Sequence, residues 1–432
     1  MQKAPFQLMT LDPGHFHAAL VQKMTLDGVD SVVYVYAPEG SDVQDHLARI
    51  RGFNTRAENP TNWVEEVYYG PDFFEKMIHD KPGNIMVVSG NNAKKTDYIK
   101  KTVEAGINVL ADKPMVITAD KFDLLVEAFD LAKQNNVLLY DIMTERHEIT
   151  TMIQKALSQV PEVFGTLEKG TLENPAVTKE SVHHFFKYVS GNPIKRPAWF
   201  FDVSQQGEGI VDVNTHLVDL IQWECFPDQI IDYTKDIEVL TARRWSTELT
   251  PSMFNRVTHL DGYPDYLEKD LIKDSVLNVY SNGEINYTLK GVHAKTSVIW
   301  NYEAPEGAMD THYSIMRGTN ANLIIQQGKD ENYEPTLYVE SVGKSSPKDF
   351  LAALQKAVDG FQGSYPGISI ENSNGKIIVT IPAKYKNGHE AHFTQVTEKY
   401  LQCLKDGKLP EWEVPNMIAK YYTTTKAYEM SR

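Results

Sequence analysis

The chain has 432 residues, too many for one ordinary hydrophobic core, and this length predicts at least two domains. Its hydrophobic content of 42% and charged content of 23% are typical of a globular protein in water, and no apolar run approaches the roughly 20 residues that cross a bilayer. A formal net charge of -15 argues against nucleic-acid binding, which requires clustered Lys and Arg.

The cysteines and the first residues bear on the compartment. Cys225 and Cys403 are the only cysteines, so the sequence excludes a disulfide framework and a cysteine-built metal site. The first apolar segment, residues 6–11, already has the pattern of a strand, and no signal peptide precedes it. We expect a cytoplasmic protein from the chain as given, and a periplasmic one if an export signal has been removed.

Residues 1–145 alternate short apolar runs with helical stretches, which is the pattern of a doubly wound parallel sheet. The runs are nearly all apolar, as expected when helices cover both faces of the sheet. The predicted strands are residues 6–11, 31–36, 84–89, 108–110 and 137–142, and the helices between them include residues 15–24, 96–105 and 119–134. This part is predicted to be one α/β domain.

Residues 146–344 show a different pattern and predict a second, α+β domain. Helices are expected at residues 150–159 and 209–225, a strand at residues 163–170, and mostly loop at residues 244–273. Alternating segments predict a large, mostly antiparallel open sheet, with strands at residues 237–243, 275–280, 284–289, 296–302, 322–326 and 336–340. Asn282-Gly283 predicts a type I′ hairpin. The open face of the sheet is expected to mediate homo-oligomer formation.

Residues 345–432 are expected to be a C-terminal extension packed on the second domain. Their apolar periodicity predicts helices at residues 347–360, 390–406 and 415–430. Asn374-Gly375 predicts a hairpin turn between the first two helices.

The loop after the first strand, LDPGHFHA, joins a strand to a helix and presents backbone N–H groups that suit an anion. A dinucleotide-binding fingerprint would place glycines at positions 9, 11 and 14, whereas this chain has Met9, Leu11 and Gly14. Ala37 stands where an acid would hold the adenosine ribose, with Glu39 close behind it. Taken alone, the loop fits a tight turn without any ligand better than it fits a cofactor site.

A lysine and a histidine carry the chemistry. Lys113 follows the strand at residues 108–110, and ligands bind beyond the carboxyl ends of such strands. Asp212, His216 and Asp219 share one face of the predicted helix, so a carboxylate can fix the imidazole tautomer. Alcohol oxidation needs an imidazole that takes the hydroxyl proton and an ammonium that stabilises the alkoxide. A solvated loop lysine and an ordinary amphipathic helix remain alternatives.

Side chains that suit a sugar occur in the second half, since aromatic faces stack on sugar C–H groups while polar groups bond the hydroxyls. The predicted substrate-binding residues are His183, His184, Lys187, Trp199, Asp212 and His312. Each of them also fits a surface position. The segment His389-Glu390-Ala391-His392 lacks the spacing of the zinc-peptidase motif, so no metal site is predicted.

Three segments together resemble the Gfo/Idh/MocA family of nicotinamide-dependent sugar and polyol oxidoreductases. EAGINVLADKP, at residues 104–114, resembles the family's AGKHVLCEKP signature, with Asp112 in place of Glu. GIVDVNTHLVD, at residues 209–219, resembles its GGxxxDxGxHxxD helix, and Gly14-x-x-His17 matches the end of its first loop. The resemblance covers residues 6 to about 327 and implies a Rossmann-like dinucleotide-binding first domain.

By this resemblance Lys113 and His216 are the catalytic pair, and Asp212 is a supporting catalytic and substrate-binding residue. The implied cofactor is NAD, with NADP not excluded. The residues expected to bind it are Leu11, Pro13, Gly14, His15, Phe16, Ala37, Glu39, Ser89, Asn91, Asp112 and Lys113. The two missing loop glycines, the missing ribose acid and Asn214 in place of the family's Gly depart from the pattern.

The implied activity is hydride transfer between the nicotinamide and a ring hydroxyl of a sugar or glycoside. The loop LDPGHFHAAL is similar to that of a subgroup from carbohydrate-degrading bacteria, for which the 3-hydroxyl is a candidate target. Two alternatives stay open. One is an NAD-dependent glycoside hydrolase that acts by oxidation and elimination, and the other is a non-catalytic sugar or nucleotide sensor.

Overall fold

Two β-sheets organise the chain in the computed structural model, which describes residues 4–189, 192–273, 275–343, 345–373 and 376–432. The first part contains β1 (Leu8–Leu11), α1 (His17–Leu20), β2 (Val32–Ala37), α2 (Ser41–Thr55), β3 (Val64–Tyr69), α3 (Phe73–Asp80), β4 (Ile85–Val88), α4 (Asn92–Glu104), β5 (Asn108–Asp112), α5 (Phe122–Gln134) and β6 (Leu139–Ile142). Its strands are parallel, in the order β3-β2-β1-β4-β5-β6. This arrangement confirms the predicted doubly wound α/β fold.

Edge strand β3 is the strand of this sheet that the sequence pattern does not predict. It reads VEEVYY and lies at the end of the sheet, beside β2. Because only one neighbour covers it, β3 is half-exposed and lacks the continuous apolar run of the inner strands. By contrast, every residue of β1 and β4 is buried.

The second part builds a larger sheet. Its elements are α6 (Ile149–Ser158), α7 (Pro161–Phe164), β7 (Val177–Phe186), β8 (Tyr188–Val189), β9 (Asn192–Pro193), α8 (Val203–Gln206), α9 (Asn214–Cys225), β10 (Ile237–Leu249), α10 (Pro251–Thr258), β11 (Leu271–Ile272), β12 (Val276–Leu289), β13 (Val292–Glu303), β14 (Thr311–Arg317), β15 (Ala321–Gln326) and β16 (Thr336–Ser341). The last part adds α11 (Pro347–Gly360), β17 (Ser369–Ser373), β18 (Lys376–Thr380), α12 (His389–Asp406) and α13 (Glu413–Ser431).

The larger sheet runs in the order β10-β12-β13-β7-β14-β15-β16-β18-β17. Strands β13 and β7 pair in parallel, and the other neighbours are antiparallel. The expected large, mostly antiparallel sheet is therefore confirmed. Helix α9 packs on this sheet and against α13, and it is buried along most of its length.

The predicted strand at residues 163–170 is wrong. Pro161 starts the short helix α7, since its fixed φ suits the first helical position. Gly165, with a φ of +76°, ends that helix and turns the chain away. The strand that enters the sheet here is β7, which begins only at Val177.

The reading of residues 244–273 as mostly loop is also wrong. Strand β10 continues to Leu249, and Thr250 caps helix α10 by accepting a hydrogen bond from the Met253 N–H. A short 3-10 turn follows at Asp265–Asp270. The strand was hidden because its residues are mostly polar or charged, with only one side facing the core.

The hairpin at Asn282-Gly283 is wrong as well. Strand β12 runs straight through these residues, and the turn lies at Lys290 and Gly291, whose φ angles are 50° and 78°. Asn282 accepts a hydrogen bond from the Trp300 N–H on β13, which fixes it inside the sheet. Gly283 lies against Ile210, so its missing side chain makes room for the segment that leads into α9.

Gly283→Ala is expected to destabilise the protein by about 1–3 kcal/mol, the usual cost of overpacking a filled core. An added Cβ would lie 2.5 Å from the Ile210 Cβ and 2.6 Å from its Cα, and backbone this close cannot be avoided by a side-chain rotation. The urea midpoint measures the change. Gly262→Ala is the matched control, because an added Cβ there meets nothing within 4 Å. Equal midpoints for the two variants would contradict this role of Gly283.

The C-terminal part packs more widely than predicted. Strands β17 and β18 extend the large sheet, but Phe393, Tyr400, Met417 and Tyr421 belong to the core of the first domain. Tyr400 donates a hydrogen bond to the Leu138 carbonyl just before β6. The extension therefore ties both domains together, while the boundaries at residues 145 and 344 stay predictions.

Two further expectations concern this part and the membrane. The turn residues Asn374-Gly375 lie outside the described residues, although Ser373 and Lys376 on either side are antiparallel partners. Over the described ranges, no helix combines the length and the apolar character needed to span a bilayer.

Candidate active site

An ion pair joins the two domains at the carboxyl end of β5. Lys113 follows this strand directly, and its Nζ lies 2.6 Å from Oδ1 of Asp212, in the turn before α9. Only 10% of the Lys113 side chain and 7% of the Asp212 side chain are exposed. Gln206 donates a second hydrogen bond to the Asp212 carboxylate. The sequence-predicted lysine and carboxylate thus meet in an enclosed position at the domain junction.

His216 lies on the first turn of α9, close to this ion pair. Burial lowers the pKa of His216 well below its ordinary value, and the positive charge of Lys113 acts in the same direction. Its imidazole is therefore neutral at pH 7. Nδ1 is buried and has no hydrogen-bond partner among the described residues. The site thus holds a neutral base with an unused ring nitrogen.

The expectation that carboxylates brace this imidazole is wrong. Helix α9 begins only at Asn214, so Asp212 stands in the preceding turn and binds Lys113 instead. Asp219 is on the helix, but it accepts hydrogen bonds from Arg146 and Lys420. Charge-assisted hydrogen bonds from two buried cations are stronger than one from a neutral imidazole, which explains why Asp219 binds Arg146 and Lys420.

A second network holds the first loop to β5. Oδ2 of Asp112 accepts hydrogen bonds from Ser89 at 2.7 Å and from the imidazole of His17 at 3.0 Å. Burial works to raise the pKa of Asp112, but His17 and Lys95 outweigh it and hold this pKa well below the ordinary value. His15, His17 and Asp112 have potential metal-ligand atoms within 4.8 Å of one another. Because hydrogen bonds already engage this carboxylate, we interpret the group as an internal network.

A cleft of about 520 Å³ opens beside the first loop, between the two domains. Six predicted cofactor-binding residues line it: Pro13, Gly14, His15, Phe16, Ala37 and Glu39. The remaining predicted positions lie elsewhere. The side chain of Leu11 is fully buried in β1, Ser89 and Asp112 belong to the internal network, and Asn91 caps α4 and binds Gln205.

The orientation of Met9 and Leu11 explains why the cleft is open although two glycines of the fingerprint are missing. Met9 and Leu11 are both fully buried strand residues whose side chains point into the core. Neither side chain lines the cleft, so their bulk takes no space from a ligand. The cleft at the carboxyl edge of β1 and β2 therefore fits a dinucleotide despite the altered fingerprint.

Trp199 and Asp42 close the outer part of this cleft. Trp199 comes from the second domain, and its indole N–H donates a hydrogen bond of 2.8 Å to Oδ2 of Asp42 at the start of α2. Both side chains pack over Gly14. Trp199, predicted to bind substrate, thus lies at the dinucleotide cleft. Asp42 was not among the predicted cofactor-binding residues. It stands five residues after Ala37, at the start of α2, and this helix begins beside the position expected for the ribose.

Three predicted substrate-binding residues converge on Asp310. His183 donates a 2.9 Å hydrogen bond from Nδ1, the backbone N–H of His184 donates one of 3.2 Å, and Lys187 forms a short ion pair. The ring of His183 stacks on Trp300 at 4.9 Å between centroids. This cluster combines donors, acceptors and an aromatic face.

His312 does not join the cluster through a hydrogen bond. It lies on β14, two residues beyond Asp310, and its Nε2 is buried without a partner among the residues that the structure describes. Burial of the ring lowers the pKa of His312 to about 3, so it is neutral at pH 7.

Comparisons with known proteins agree with this geometry. The family model "Oxidoreductase family, NAD-binding Rossmann fold" matches residues 15–143, and the model "Putative oxidoreductase C terminal domain" matches residues 153–432. The chain belongs to the Gfo/Idh/MocA family. It is accordingly an oxidoreductase with an NAD-binding Rossmann domain.

Solved structures place this Gfo/Idh/MocA chain among full-length relatives. A "putative oxidoreductase" from Parabacteroides merdae is 58% identical, with a TM-score of 0.96 over 99% of this chain and 98% of that chain. Levoglucosan dehydrogenase in complex with NADH and levoglucosan is 12% identical, with a TM-score of 0.62 over 98% and 97% of the two chains. Biliverdin reductase from Synechocystis, with biliverdin and NADP+, is 10% identical, with a TM-score of 0.58 over 99% of each chain. The last two share the fold alone. A search of curated proteins found no match.

Proposed function

We propose that this Gfo/Idh/MocA protein transfers a hydride between NAD and a ring hydroxyl of a sugar or glycoside, with the 3-hydroxyl as the first position to examine. The observation that carries this proposal is the enclosed Lys113–Asp212 ion pair beside the neutral imidazole of His216. An ammonium and a neutral base next to a dinucleotide cleft are the groups that alcohol oxidation requires.

In the oxidation direction, the neutral imidazole of His216 accepts the hydroxyl proton. Lys113 stabilises the negative charge that develops on the substrate oxygen, and Asp212 holds the ammonium in place. The bound nicotinamide supplies the hydride acceptor. The low exposure of Lys113 and Asp212 keeps water from weakening these charge interactions.

The acids at the dinucleotide cleft favour NAD over NADP. Glu39 and Asp42 both line the cleft near the end of β2, where the adenosine ribose is expected. A carboxylate can accept hydrogen bonds from ribose hydroxyls, whereas a 2′-phosphate beside two carboxylates is repelled. Arg49 and Lys195 line the same cleft and reduce this repulsion. We expect tighter binding of NAD, measured by titration of both dinucleotides.

A polyhydroxylated substrate suits the cluster at Asp310. The ammonium of Lys187 and the carboxylate of Asp310 are the kind of polar groups that hydrogen-bond to sugar hydroxyls. The Trp300 ring is buried beneath His183 and therefore offers no stacking face. Incubation with NAD and a panel of glycosides tests the proposal through the absorbance of NADH or a keto-sugar product. The absence of product from every sugar, with NAD demonstrably bound, would overturn it. Cleavage of aryl glycosides with deuterium exchange at carbon 2 would indicate the oxidation–elimination alternative.

His216→Ala is expected to lower turnover on the order of 100-fold, because the proton acceptor is removed. Dinucleotide binding should be unchanged, since His216 lies outside the cleft lined by the first loop. Steady-state kinetics and NAD titration give the two readouts. His79→Ala is the control, with 86% of that side chain exposed. Full biological function in the His216 variant would favour a non-catalytic sensor.

The open face of the large sheet supports a homo-oligomer. Alternate residues of β12 and β13 on this face are only partly covered, among them Asn278, Tyr280, Glu284, Lys295 and Ile299. The mixture of polar and apolar groups is typical of an interface between soluble subunits. Native mass spectrometry measures the subunit number, and a strictly monomeric protein would contradict this expectation.

A further inference from the structure

Two titratable side chains without a role in the proposed mechanism lie at the rim of the active site. Glu145 is in the turn that follows β6, and His389 is the first residue of α12. His389 Nε2 lies 3.6 Å from Oε1 of Glu145 and 3.3 Å from Oγ1 of Thr144. The C-terminal part of the chain thus brings an imidazole to the site formed by the two domains.

Glu145 is in contact with solvent and with the charges of the site. Its side chain is 34% exposed, yet enough protein surrounds it that burial, followed by Glu148, raises its pKa to about 7. Lys113 acts in the opposite direction, and Asp310 raises this pKa slightly. These two charges come from the catalytic ion pair and from the substrate cluster. Glu145 is therefore within range of both charges, and its carboxyl can take up or release a proton near neutral pH.

His389, like Glu145, is partly exposed to solvent and close to the charges of the site. Its side chain is 44% exposed, but burial lowers its pKa well below the ordinary value. The positive charges of Lys187 and Lys113 and the neighbouring imidazoles of His17 and His392 lower this pKa further. A neutral imidazole that is open to water can accept a proton on one nitrogen and release one from the other.

The catalytic groups themselves are poorly placed to exchange protons with water. His216 is 9% exposed as a residue, and the side chain of Lys113 is 10% exposed. Under the proposed function, on which this inference rests, each oxidation leaves one proton on His216. That proton must reach solvent before the next turnover. The turn that carries Glu145 packs against the helix that carries the base. Arg146, the next residue, donates hydrogen bonds to Asp219, three residues after His216 on α9.

We propose that His389 and Glu145 carry the released proton from the enclosed site to solvent. The substrate O–H bond breaks and its proton goes to His216, while the C–H bond breaks and its electron pair leaves as hydride to NAD, so that a C=O bond forms. The proton then passes from His216 to the His389–Glu145 pair and from there to water. This step returns His216 to its neutral form.

Glu145→Gln tests the pair, since it keeps the shape of the side chain but cannot carry a proton. At pH 7 in dilute buffer, kcat should fall about 10-fold, less than the roughly 100-fold or more for loss of the base itself, because water can still take the proton more slowly. Single-turnover hydride transfer should be unchanged, because the first proton still goes to His216. Added imidazole buffer should restore kcat, and Glu145→Asp should retain most of it. Glu390→Gln is the control, since Glu390 is the neighbour of His389 and pairs with Lys23.

The pH profile gives the second readout. Above a pKa of about 7, Glu145 is ionised and accepts a proton, so wild-type kcat for oxidation should rise with pH through neutrality. This rise should be absent from Glu145→Gln. Carbon-13 NMR of the protein without cofactor should show a carboxyl that titrates near pH 7 and is missing in the variant. The signal of Glu65, whose pKa burial also raises to about 7, should remain in both proteins. An unchanged kcat and profile, or no such resonance, would overturn the proposal. A wild-type protein that oxidises no sugar would instead overturn the proposed function, while the NMR result still tests Glu145.

Discussion

Lys113→Met should lower the rate of hydride transfer by about 1000-fold, the upper part of the effect of removing one group that stabilises a developing oxyanion. The methionine fills the same space but provides no charge at the substrate oxygen. NAD binding should persist, because the residues that line the dinucleotide cleft are untouched. Single-turnover kinetics with saturating NAD and glycoside measure the loss.

Two controls separate chemistry from folding in this experiment. Lys113→Met leaves the Asp212 carboxylate buried without its cation, which destabilises the domain junction. The double variant with Asp212→Asn removes the unpaired charge and should recover stability but not activity. Lys100→Met removes a surface lysine paired with Glu127 and should keep full activity. A Lys113 variant that retains a tenth or more of the wild-type rate would contradict the assigned role, against an expected effect of about 1000-fold.

Much of the fold could be predicted because its signals are local. The inner strands of the parallel sheet are continuous apolar runs, and every residue of β1 and β4 is buried. The failures have several causes. The edge strand β3 lacks an apolar run, Pro161 starts a helix where a strand was predicted, and distant contacts decide one predicted turn. Asn282-Gly283 has the chemistry of a turn, but Ile210 and Trp300 fix it within a strand. Local chemistry cannot reveal such neighbours.

The same division applies to the active site. Lys113 and Asp212 could be found because each stands in a recognisable segment, and the structure brings them within 2.6 Å. The partners of Asp219 could not be found, since Arg146 and Lys420 lie 73 and 201 residues away along the chain. His389 was hidden for a similar reason, being 245 residues from Thr144. Residues that act across domains leave no periodic signal.

Arg146→Met should destabilise the protein by about 3–5 kcal/mol, the cost of removing one partner from a buried ion pair. Arg146 donates hydrogen bonds of 2.6 and 2.7 Å to Asp219 and two of 3.0 Å to Glu413. Lys420 completes the network by binding Asp219 and Asp141. These contacts join β6, α9 and α13, so their loss weakens the packing between the domains. The shift of the urea midpoint measures the effect.

A surface pair provides the control for this variant. Arg256 binds Glu303 with two hydrogen bonds, and nearly half of each side chain is exposed. Exposed pairs contribute about 0–1 kcal/mol, so Arg256→Met should leave the urea midpoint nearly unchanged. Similar shifts for the two arginine variants would show that the buried network contributes no more to stability than a surface contact.

The network also predicts how stability depends on pH. Burial works to raise the pKa of Asp219, but Arg146 and Lys420 outweigh it and hold this pKa below the ordinary range. A carboxyl with a depressed pKa stabilises the fold at pH values above its unfolded pKa of about 3.9, and this contribution is lost as the pH falls below that value. In Arg146→Met the largest lowering charge is absent, so the folded pKa of Asp219 moves toward the unfolded value. The variant should therefore lose less additional stability than the wild type between pH 5 and pH 2, as urea midpoints across this range would show. If the urea midpoints of the two proteins fell equally with pH, Arg146 would not be the group that keeps Asp219 ionised in the folded state.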